Sequence, residues 1–338
     1  MQNLSGQPLL DNHLDTPLFV DRESELLEAT GALSRRINVL LLGERGIGKT
    51  SFLYRVQREL RTRDIQVVYL AGRAVAETAA DLLSVIRYHL AEPQTVTFNP
   101  LPDISRLLPR SVRVVPEGER MLQEVQGLRD ALAHMAKPAV VLLDEMPNKD
   151  EARKLFARLR DEIWRLPIAW LVAANNSDAE SYLKPPADAF FGRVIRLAPL
   201  SNEAIHRVLQ LRVPDLDMAT IDTIVQQAAG NPRRLISLAQ DVTVRGGSAD
   251  RMASEAQRLR ERLRNLGEPA QRLYSELEAL GQASPSDAEL LRRLGWKRSR
   301  AQQVMSQLEQ AGLVLVNQEA QDRGGPRKVF RPRPGGVV

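Results

Sequence analysis

Residues 37–60 read INVLLLGERGIGKTSFLYRVQREL, and this stretch decides the fold. It begins with an apolar run, continues through the pattern G-x-x-x-x-G-K-T at residues 43–50, and ends with apolar side chains at helical spacing. A buried strand, a glycine-rich loop and a helix in this order form a phosphate-binding loop, in which backbone N–H groups and the positive end of the helix hold an anion. The stretch therefore predicts a site for nucleotide phosphates.

Within the loop, Lys49 is expected to reach the outer phosphates, and the hydroxyl of Thr50 is expected to complete the coordination of Mg²⁺. The remaining contacts come from backbone N–H groups that point inward at the phosphates. The residues predicted to bind the nucleotide here are Gly43, Gly46, Ile47, Gly48, Lys49, Thr50 and Ser51.

Two later apolar runs end in polar side chains that suit hydrolysis. In VVLLDE, Asp144 closes the strand and is expected to hold Mg²⁺, while Glu145 is expected to polarise an attacking water. In LVAANN, the strand ends with Asn175 and Asn176, and a carboxamide there can orient the water against the γ-phosphate. The pattern does not decide between the two asparagines, and we favour Asn176.

The nucleotide is expected to be ATP. The tetrapeptide NKDE at residues 148–151 resembles half of the guanine-reading motif N-K-x-D, but its fourth residue is Glu151 and it does not end a later strand. A small-molecule kinase is disfavoured because Glu145 and the asparagines suit activation of water better than transfer to a metabolite. ATP and Mg²⁺ are therefore the predicted cofactors, and hydrolysis to ADP and phosphate is the predicted reaction.

The composition is that of a globular protein. The chain has 338 residues, of which 43% are hydrophobic and 26% charged, and this length predicts two or three domains. It contains no cysteine, which excludes disulfides and thiolate metal sites. No basic, apolar leader and no run of about 18 apolar residues is found, so we expect a cytoplasmic protein that does not span a membrane.

Apolar runs alternate with helical patterns through residue 200, which predicts an α/β fold with a parallel sheet covered by helices. A helix is expected over residues 150–166. Residues 92–119 hold five prolines and no sustained period, and we expect a long insertion there. The expected strands are residues 37–42, 65–71, 139–144, 168–174 and 194–197.

From Ser201 onwards the pattern is helical. It predicts a small helical domain, then an Arg-rich connecting helix, then three helices and a hairpin in the order of a winged helix-turn-helix domain. Ser284 or Ser286 is expected to cap the second of these three helices.

Positive charge is concentrated in this last part. Residues 251–338 contain 16 Arg or Lys against 10 Asp or Glu, while the whole chain has a net charge of +5. Such an excess predicts an acidic partner, with nucleic acid first in line. A winged helix also serves as a protein docking module, and that alternative stays open. The predicted DNA-binding residues, at the start of the third helix and along the hairpin, are Lys297, Arg298, Arg300, Arg323, Arg327 and Lys328, followed by Arg331 and Arg333.

Taken in order, the motifs resemble those of the AAA+ ATPases, in particular the origin-recognition replication-initiator branch and the related STAND ATPases. The segment PLFVDRESELLEA at residues 17–29 is similar to the family's box near the adenine, with Asp21 where the family usually has glycine. The resemblance implies that Phe19, Val20 and Arg22 contribute to the nucleotide site.

Two further segments carry the resemblance. FFGRVIRLAPL at residues 190–200 is similar to the arginine-finger segment, which implies Arg193, with Arg196 as the alternative. An arginine at a strand start is too far from its own loop, so its target is a neighbouring subunit's nucleotide. GNPRRLISLAQD at residues 230–241 is similar to the sensor-2 motif, which implies that Arg233 reaches the γ-phosphate.

The resemblance implies an ATP-dependent switch that assembles with copies of itself or with another AAA+ subunit through Arg193, and on DNA through the winged helix. The alternatives are a STAND-type signalling or defence ATPase, whose winged helix locks the nucleotide, and a transposition-regulator AAA+ ATPase. The implied domains are an AAA+ core over residues 1–200 with the insertion 92–119, a helical lid over 201–250, a connecting helix over 251–267 and a winged helix over 268–338.

Overall fold

The computed structural model describes residue 4 and residues 6–10, 15–91, 116–135, 137–245, 249–319 and 327–333. The chain divides into two compact units, Gln7–Ala198 and Pro199–Val338 together with Met1–Gly6.

The first unit is built on a five-stranded sheet in the order β2-β3-β4-β1-β5, and all its strand pairs are parallel. Each expected run forms a strand, with ends that differ by at most two residues, so the predicted parallel sheet is confirmed. The strands are β1 (Val39–Gly43), β2 (Gln66–Ala71), β3 (Ala139–Asp144), β4 (Ile168–Asn175) and β5 (Arg193–Leu197).

Helices cover both faces of this sheet, which is why its strands are apolar throughout. Alternate residues of β1 face opposite sides: Val39 and Leu41 pack with the first two helices, and Leu40 and Leu42 pack with the fourth and fifth. The helices of this unit are α1 (Glu23–Ser34), α2 (Lys49–Arg61), α3 (Gly72–Val75), α4 (Ala79–Ala91), α5 (Glu117–Ala133), α6 (Lys149–Arg153), α7 (Arg160–Trp164) and α8 (Glu180–Leu183).

The expected insertion over residues 92–119 is too long at its C-terminal end. Helix α5 already begins at Glu117, preceded by Pro116 and with Glu117 and Glu119 in its first turn. Proline before the first turn and carboxylates within it are both signals of a helix start, because they suit the unpaired N–H groups and the positive helix end. Residues 92–115 lie outside the described part of the chain.

The helix expected over residues 150–166 is interrupted. Residues Lys154–Arg158 form a π-helical turn between α6 and α7. Leu155 and Phe156 within this turn are fully buried, and the ring of Phe156 lies 5.2 Å from that of Phe190 and 6.2 Å from that of Trp170. The wider turn thus accompanies the packing of this aromatic cluster, which helical spacing along the sequence does not indicate.

The second unit contains the remaining helices and an antiparallel hairpin. Its last three helices and the hairpin share an apolar core that includes Leu277, Leu308 and Phe330. In the described residues of both units, no helix is long and apolar enough to cross a membrane. The elements are α9 (Asn202–Arg212), α10 (Met218–Ala228), α11 (Pro232–Arg245), α12 (Ala249–Leu266), α13 (Glu268–Leu280), α14 (Ala288–Leu294), α15 (Arg298–Gln310), β6 (Val314–Glu319) and β7 (Arg327–Pro332).

The cap expected for α14 is wrong. The carboxylate of Asp287, directly before the helix, accepts from the Leu290 N–H at 3.5 Å. Ser284 instead accepts from the Ser286 N–H at 3.2 Å, in the turn that precedes the helix. Aspartate and serine are equally good caps, so the choice depends on where the turn ends, and the sequence does not fix that point.

Candidate nucleotide-binding site

The site lies where the C-terminal ends of three neighbouring strands meet. In the sheet register, Gly43 at the end of β1 aligns with Asn175 at the end of β4, and Asp144 at the end of β3 aligns with Ala173. Ligands of open parallel sheets bind at this edge, because the loops that follow the strands converge there.

The loop between β1 and α2 has the backbone of a phosphate cradle. Gly46 and Gly48 adopt φ values of +82° and +101°, which residues with a β-carbon rarely adopt. A β-carbon on Gly43 would lie 2.8 Å from the side chain of Ile47. The N-terminus of α2 follows Gly48 directly, so the positive end of a helix of 13 residues faces the loop.

Lys49 is held at the centre of this loop. Its side chain is 7% exposed. Its ammonium donates to the carbonyl oxygens of Gly43 and Glu44 at 3.1 and 3.0 Å and to Oδ1 of Asn175 at 2.8 Å. These oxygens therefore keep the ammonium inside the loop, at the position from which it can bind phosphate.

Asn175 connects Lys49 to Glu145. While its Oδ1 accepts from Lys49, its Nδ2 donates to Oε1 of Glu145 at 3.0 Å. Asn176 begins the 3₁₀ turn Asn176–Asp178 and is exposed. The structure thus brings Asn175, and not the favoured Asn176, next to the lysine and the carboxylate.

Thr50 and Asp144 form the second pair of the site. The Thr50 hydroxyl donates to Oδ2 of Asp144 at 2.6 Å, and the hydroxyl of Tyr69 donates to the same oxygen at 3.2 Å. Burial raises the pKa of the Asp144 carboxyl, and the charge of Glu145 adds to this, whereas the hydrogen bonds and the charge of Lys49 oppose it. A bound cation would offset the cost of this half-buried negative charge.

These residues fit Mg²⁺. A hydroxyl and a carboxylate oxygen are ligands that Mg²⁺ prefers, and this cation usually binds through one or two protein oxygens together with nucleotide phosphates. Among the described residues there is no group of three or more His, Cys, Asp or Glu side chains that could hold a metal alone. Thr50 and Asp144 would therefore hold the ion jointly with the phosphates.

Glu145 occupies a strained backbone position. Its φ is +63°, in the left-handed region, and its N–H continues the sheet by donating to the Ala173 carbonyl at 3.1 Å. A β-carbon on Gly72, after β2, would lie 2.1 Å from the Glu145 carbonyl oxygen, so the bend requires glycine there. Gly72 is not among the predicted site residues, although a glycine directly after a buried strand is a usable signal.

The segment directly before α1 has backbone angles that glycine usually adopts, although the residues there are Asp21 and Arg22. Asp21 and Arg22 have φ values of +63° and +81°. Aspartate tolerates this region better than most residues, and the Asp21 carboxylate accepts from the Arg22 N–H at 3.1 Å. Arg22 is 7% exposed, pairs with Glu25 at 3.3 Å and donates to the carbonyl of Ala198. It thereby joins the start of α1 to the segment after β5.

The remaining predicted residues of this region are Phe19 and Val20. Val20 is buried, and Phe19 is half-buried against the core formed with α1 and α2. Ser51 accepts from the N–H of Leu9 at 3.0 Å, so the N-terminal segment runs beside the start of α2. A role of Phe19, Val20 and Arg22 in binding adenine stays a prediction.

The side chains of the tetrapeptide NKDE make contacts that stabilise the fold. Asn148 caps α6 by accepting from the N–H groups of Asp150 and Glu151, both at 3.0 Å. Lys149 pairs with Asp178 at 3.0 Å, and the buried Glu151 accepts from the N–H of Ala79 at the start of α4 at 2.7 Å. These contacts account for the motif without a guanine base.

The predicted arginines lie in different places. Arg193 starts β5 opposite Val39, and Arg196 is opposite Leu42, next to the loop; both side chains are exposed. Arg233 belongs to the second unit, where its neighbour Arg234 pairs with Glu278 at 3.3 Å. The role of Arg233 at the nucleotide stays a prediction.

The described members of the predicted DNA-binding set lie at the start of α15 and on or directly after β7 of the second unit. Lys297 is the N-cap of α15, and Arg298 and Arg300 lie in its first turn, which contains no acidic residue. The Arg300 guanidinium lies 4.8 Å from the ring centre of Trp296. On β7, Lys328 is exposed. Arg323 and the side chain of Arg327 lie outside the described residues.

As a whole, the site offers a cradle for phosphate, two oxygens for Mg²⁺ and a carboxylate beside an amide for the activation of water. This set suits hydrolysis of a nucleoside triphosphate.

Comparison with known proteins agrees with this chemistry. Residues 18–172 match the model of the AAA ATPase domain family. No curated protein sequence matches the chain.

Among solved structures, the chain is similar to the ORC1 protein of Aeropyrum pernix in complex with DNA, with 18% identity, coverage of 96% of this chain and 92% of that chain, and a TM-score of 0.50. It is also similar to the Walker-type ATPase PABY2304 of Pyrococcus abyssi, with 14% identity, coverage of 98% of both chains and a TM-score of 0.51. Identities this low establish a shared fold alone, whereas the family match assigns residues 18–172 as an AAA ATPase domain.

Proposed function

We propose that this ATPase is a switch of the initiator or loader type, which assembles with neighbouring subunits and acts on DNA. ATP would bind at the loop before α2 and favour the assembled state, and hydrolysis would release it. The observation that carries the nucleotide half of the proposal is the meeting of Lys49, Asn175 and Glu145 at one edge of the sheet.

Each of these side chains has a separate proposed role. Lys49 binds the outer phosphates, Glu145 accepts a proton from the attacking water, and Asn175 orients that water. The hydrogen bonds of Asn175 support its role, because they fix its amide between the phosphate-binding cation and the base. Asn176, which the sequence favoured, is exposed.

The first prediction separates the two asparagines. Asn175→Ala should lower kcat for ATP hydrolysis by roughly a hundredfold with little change in ATP affinity, because an oriented amide acts mainly on the transition state. The matched control, Asn176→Ala, should hydrolyse ATP at the parent rate. Phosphate release and equilibrium ATP binding measure both effects. A larger loss of turnover in Asn176→Ala than in Asn175→Ala would return the role to Asn176.

Arg193 is the proposed arginine finger. It is exposed on the edge strand β5, opposite Val39. Because Val39 precedes Gly43 by four residues, Arg193 lies roughly 13 Å along the strand from the loop of its own subunit. A guanidinium so placed suits the stabilisation of transition-state charge on a neighbour's nucleotide, which requires a homo-oligomer or an AAA+ partner.

The second prediction tests action between subunits. Arg193→Ala should lower turnover by about a hundredfold or more. Mixing it with Lys49→Ala chains should restore part of the activity, since the Lys49→Ala subunit cannot bind phosphate but still supplies Arg193. The matched control is mixing with the double variant Lys49→Ala/Arg193→Ala, which should restore nothing. Equal activity in both mixtures would contradict the trans role of Arg193. If mixing with Lys49→Ala chains restores activity to Arg196→Ala but not to Arg193→Ala, the finger is Arg196 instead.

DNA is the proposed partner of α13–α15 and the hairpin, which we interpret as a winged helix. Lys297, Arg298 and Arg300 stand at the N-terminus of α15, where positive charge opposes the helix dipole and therefore does not stabilise the helix. Among the described residues, Lys297, Arg298 and Lys328 have no ion-pair partner, so their charges are available to phosphates. The likeness in fold to an ORC1 protein solved with DNA supports the same partner.

The main alternative is a STAND-type signalling ATPase, in which the same C-terminal elements would lock the nucleotide and ignore DNA. A transposition regulator is a third candidate, and the helix and hairpin order at the C-terminus disfavours it. Stimulation of ATP hydrolysis by duplex DNA separates the first two, because only a switch that acts on DNA should respond.

The third prediction concerns the dependence of DNA affinity on salt concentration. Each phosphate contact adds about 0.9 to the slope of log affinity against log salt, so replacing Lys297, Arg298 and Lys328 with Ala should flatten the slope by about 2.7. The charge-matched control replaces the exposed Arg258, Arg260 and Arg264 of α12 and should leave the slope unchanged. Fluorescence anisotropy on a labelled duplex with ATP present measures both.

Equal slopes for the two triple variants would contradict DNA binding at α15 and the hairpin. If the intact protein with ATP does not bind duplex DNA at low salt, the signalling alternative is favoured.

A further inference from the structure

Tyr69 lies on β2, outside every motif in the sequence, yet it contacts the carboxylate at the centre of the site. Its hydroxyl donates to Oδ2 of Asp144 at 3.2 Å, the same oxygen that accepts from the Thr50 hydroxyl at 2.6 Å. Two elements that come from different parts of the chain thus hold the same oxygen, α2 through Thr50 and β2 through Tyr69.

The register of the sheet explains how Tyr69 reaches this oxygen. Ala71 of β2 pairs with Asp144, and Tyr69 pairs with Leu142, so Tyr69 and Asp144 lie on the same face, displaced by two residues. With strands about 4.8 Å apart and a rise of about 3.3 Å per residue, residues displaced by two are about 8 Å apart, a distance that an aromatic side chain spans. A shorter polar side chain at position 69 would not reach the carboxylate.

A second aromatic side chain keeps the phenol in place. The ring of Tyr54 lies 4.7 Å from that of Tyr69, at an interplanar angle of 33°. Tyr54 follows Thr50 by one turn of α2, and residues four apart share a helix face. The same face of α2 therefore supplies one hydrogen bond to Asp144 and the support for the other.

The protonation of Tyr69 suits a donor. A phenol has an ordinary pKa of about 10, so its hydroxyl is protonated at neutral pH. The phenol therefore keeps its proton across the physiological range and donates to the carboxylate.

We propose that Tyr69 is a positioning residue for Mg²⁺, because its hydroxyl and that of Thr50 fix Asp144 in the orientation that binds the ion. The inference rests on the proposed metal role of Asp144. In this role Tyr69 acts through Asp144 and not as a ligand of the ion. Groups that hold a metal ligand in place typically contribute ten- to a hundredfold to metal affinity, so loss of the hydroxyl should weaken Mg²⁺ binding by about tenfold or more.

The test compares Tyr69→Phe, which keeps the ring on Tyr54, with the control Tyr88→Phe, which makes the same chemical change on α4 of the same unit. Mg²⁺ is titrated against binding of a fluorescent ADP analogue by the full chain, and separately against ATP hydrolysis at saturating ATP. In Tyr69→Phe, the half-saturating Mg²⁺ concentration should rise about tenfold in both titrations. Analogue affinity without Mg²⁺, and kcat at saturating Mg²⁺, should match the parent, and Tyr88→Phe should match it throughout.

Three results would overturn the inference. These are a parent-like Mg²⁺ titration in Tyr69→Phe, an equal loss of analogue affinity with and without Mg²⁺, and a loss of turnover that saturating Mg²⁺ does not restore. The variant Asp144→Asn shows whether a failure concerns the role of Tyr69 alone or the proposed metal role of Asp144 as well. If it shifts the Mg²⁺ titration and Tyr69→Phe does not, the inference alone is wrong. If neither variant shifts the titration, the proposed metal role of Asp144 is wrong, and the inference is wrong with it.

Discussion

The two hydrogen bonds of the Asn175 amide, one to Lys49 and one to Glu145, join the parts of the chain on which the site depends. The three side chains come from the start of α2, the residue after β3 and the end of β4, and the parallel register brings them to one edge of the sheet. Since side chains alternate between the faces of a strand, a shift of β4 by one residue would turn Asn175 to the other face. The alignment of Gly43 with Asn175 therefore determines which asparagine lies beside Lys49 and Glu145.

Backbone strain near the site is matched by small or tolerant residues. Glu145 adopts a left-handed conformation that costs a residue of its type about 1–2 kcal/mol, and the absence of a side chain on Gly72 makes room for its carbonyl. Asp21 tolerates its left-handed conformation better, because a short aspartate side chain can accept a hydrogen bond from nearby backbone. Here it accepts from the Arg22 N–H. The hydrogen bond from Asn175 holds the carboxylate of Glu145 beside this strained backbone.

Much of the fold could be predicted from the sequence, because strands buried on both faces are continuous apolar runs. The loop and Asp144 could be found for a related reason: a glycine pattern and a carboxylate are recognisable when they follow such runs. The position of Asn175, rather than Asn176, beside Lys49 could not be predicted this way, since it depends on the register between β4 and β1. The π-helical turn at Phe156 and the contact of Tyr69 with Asp144 likewise arise from packing between distant segments.

The central claim is that Lys49 binds the nucleotide while Glu145 acts on water, and ATP binding measured beside ATP turnover tests it most directly. Lys49→Ala should bind no ATP, because the cation at the centre of the cradle is lost. Glu145→Gln should bind ATP like the parent and fail to turn it over, since only the base is removed. Glu44→Gln, an exposed loop residue that contacts Lys49 through its backbone, is the matched control and should resemble the parent in both measurements. Turnover by Glu145→Gln at the parent rate would contradict the account.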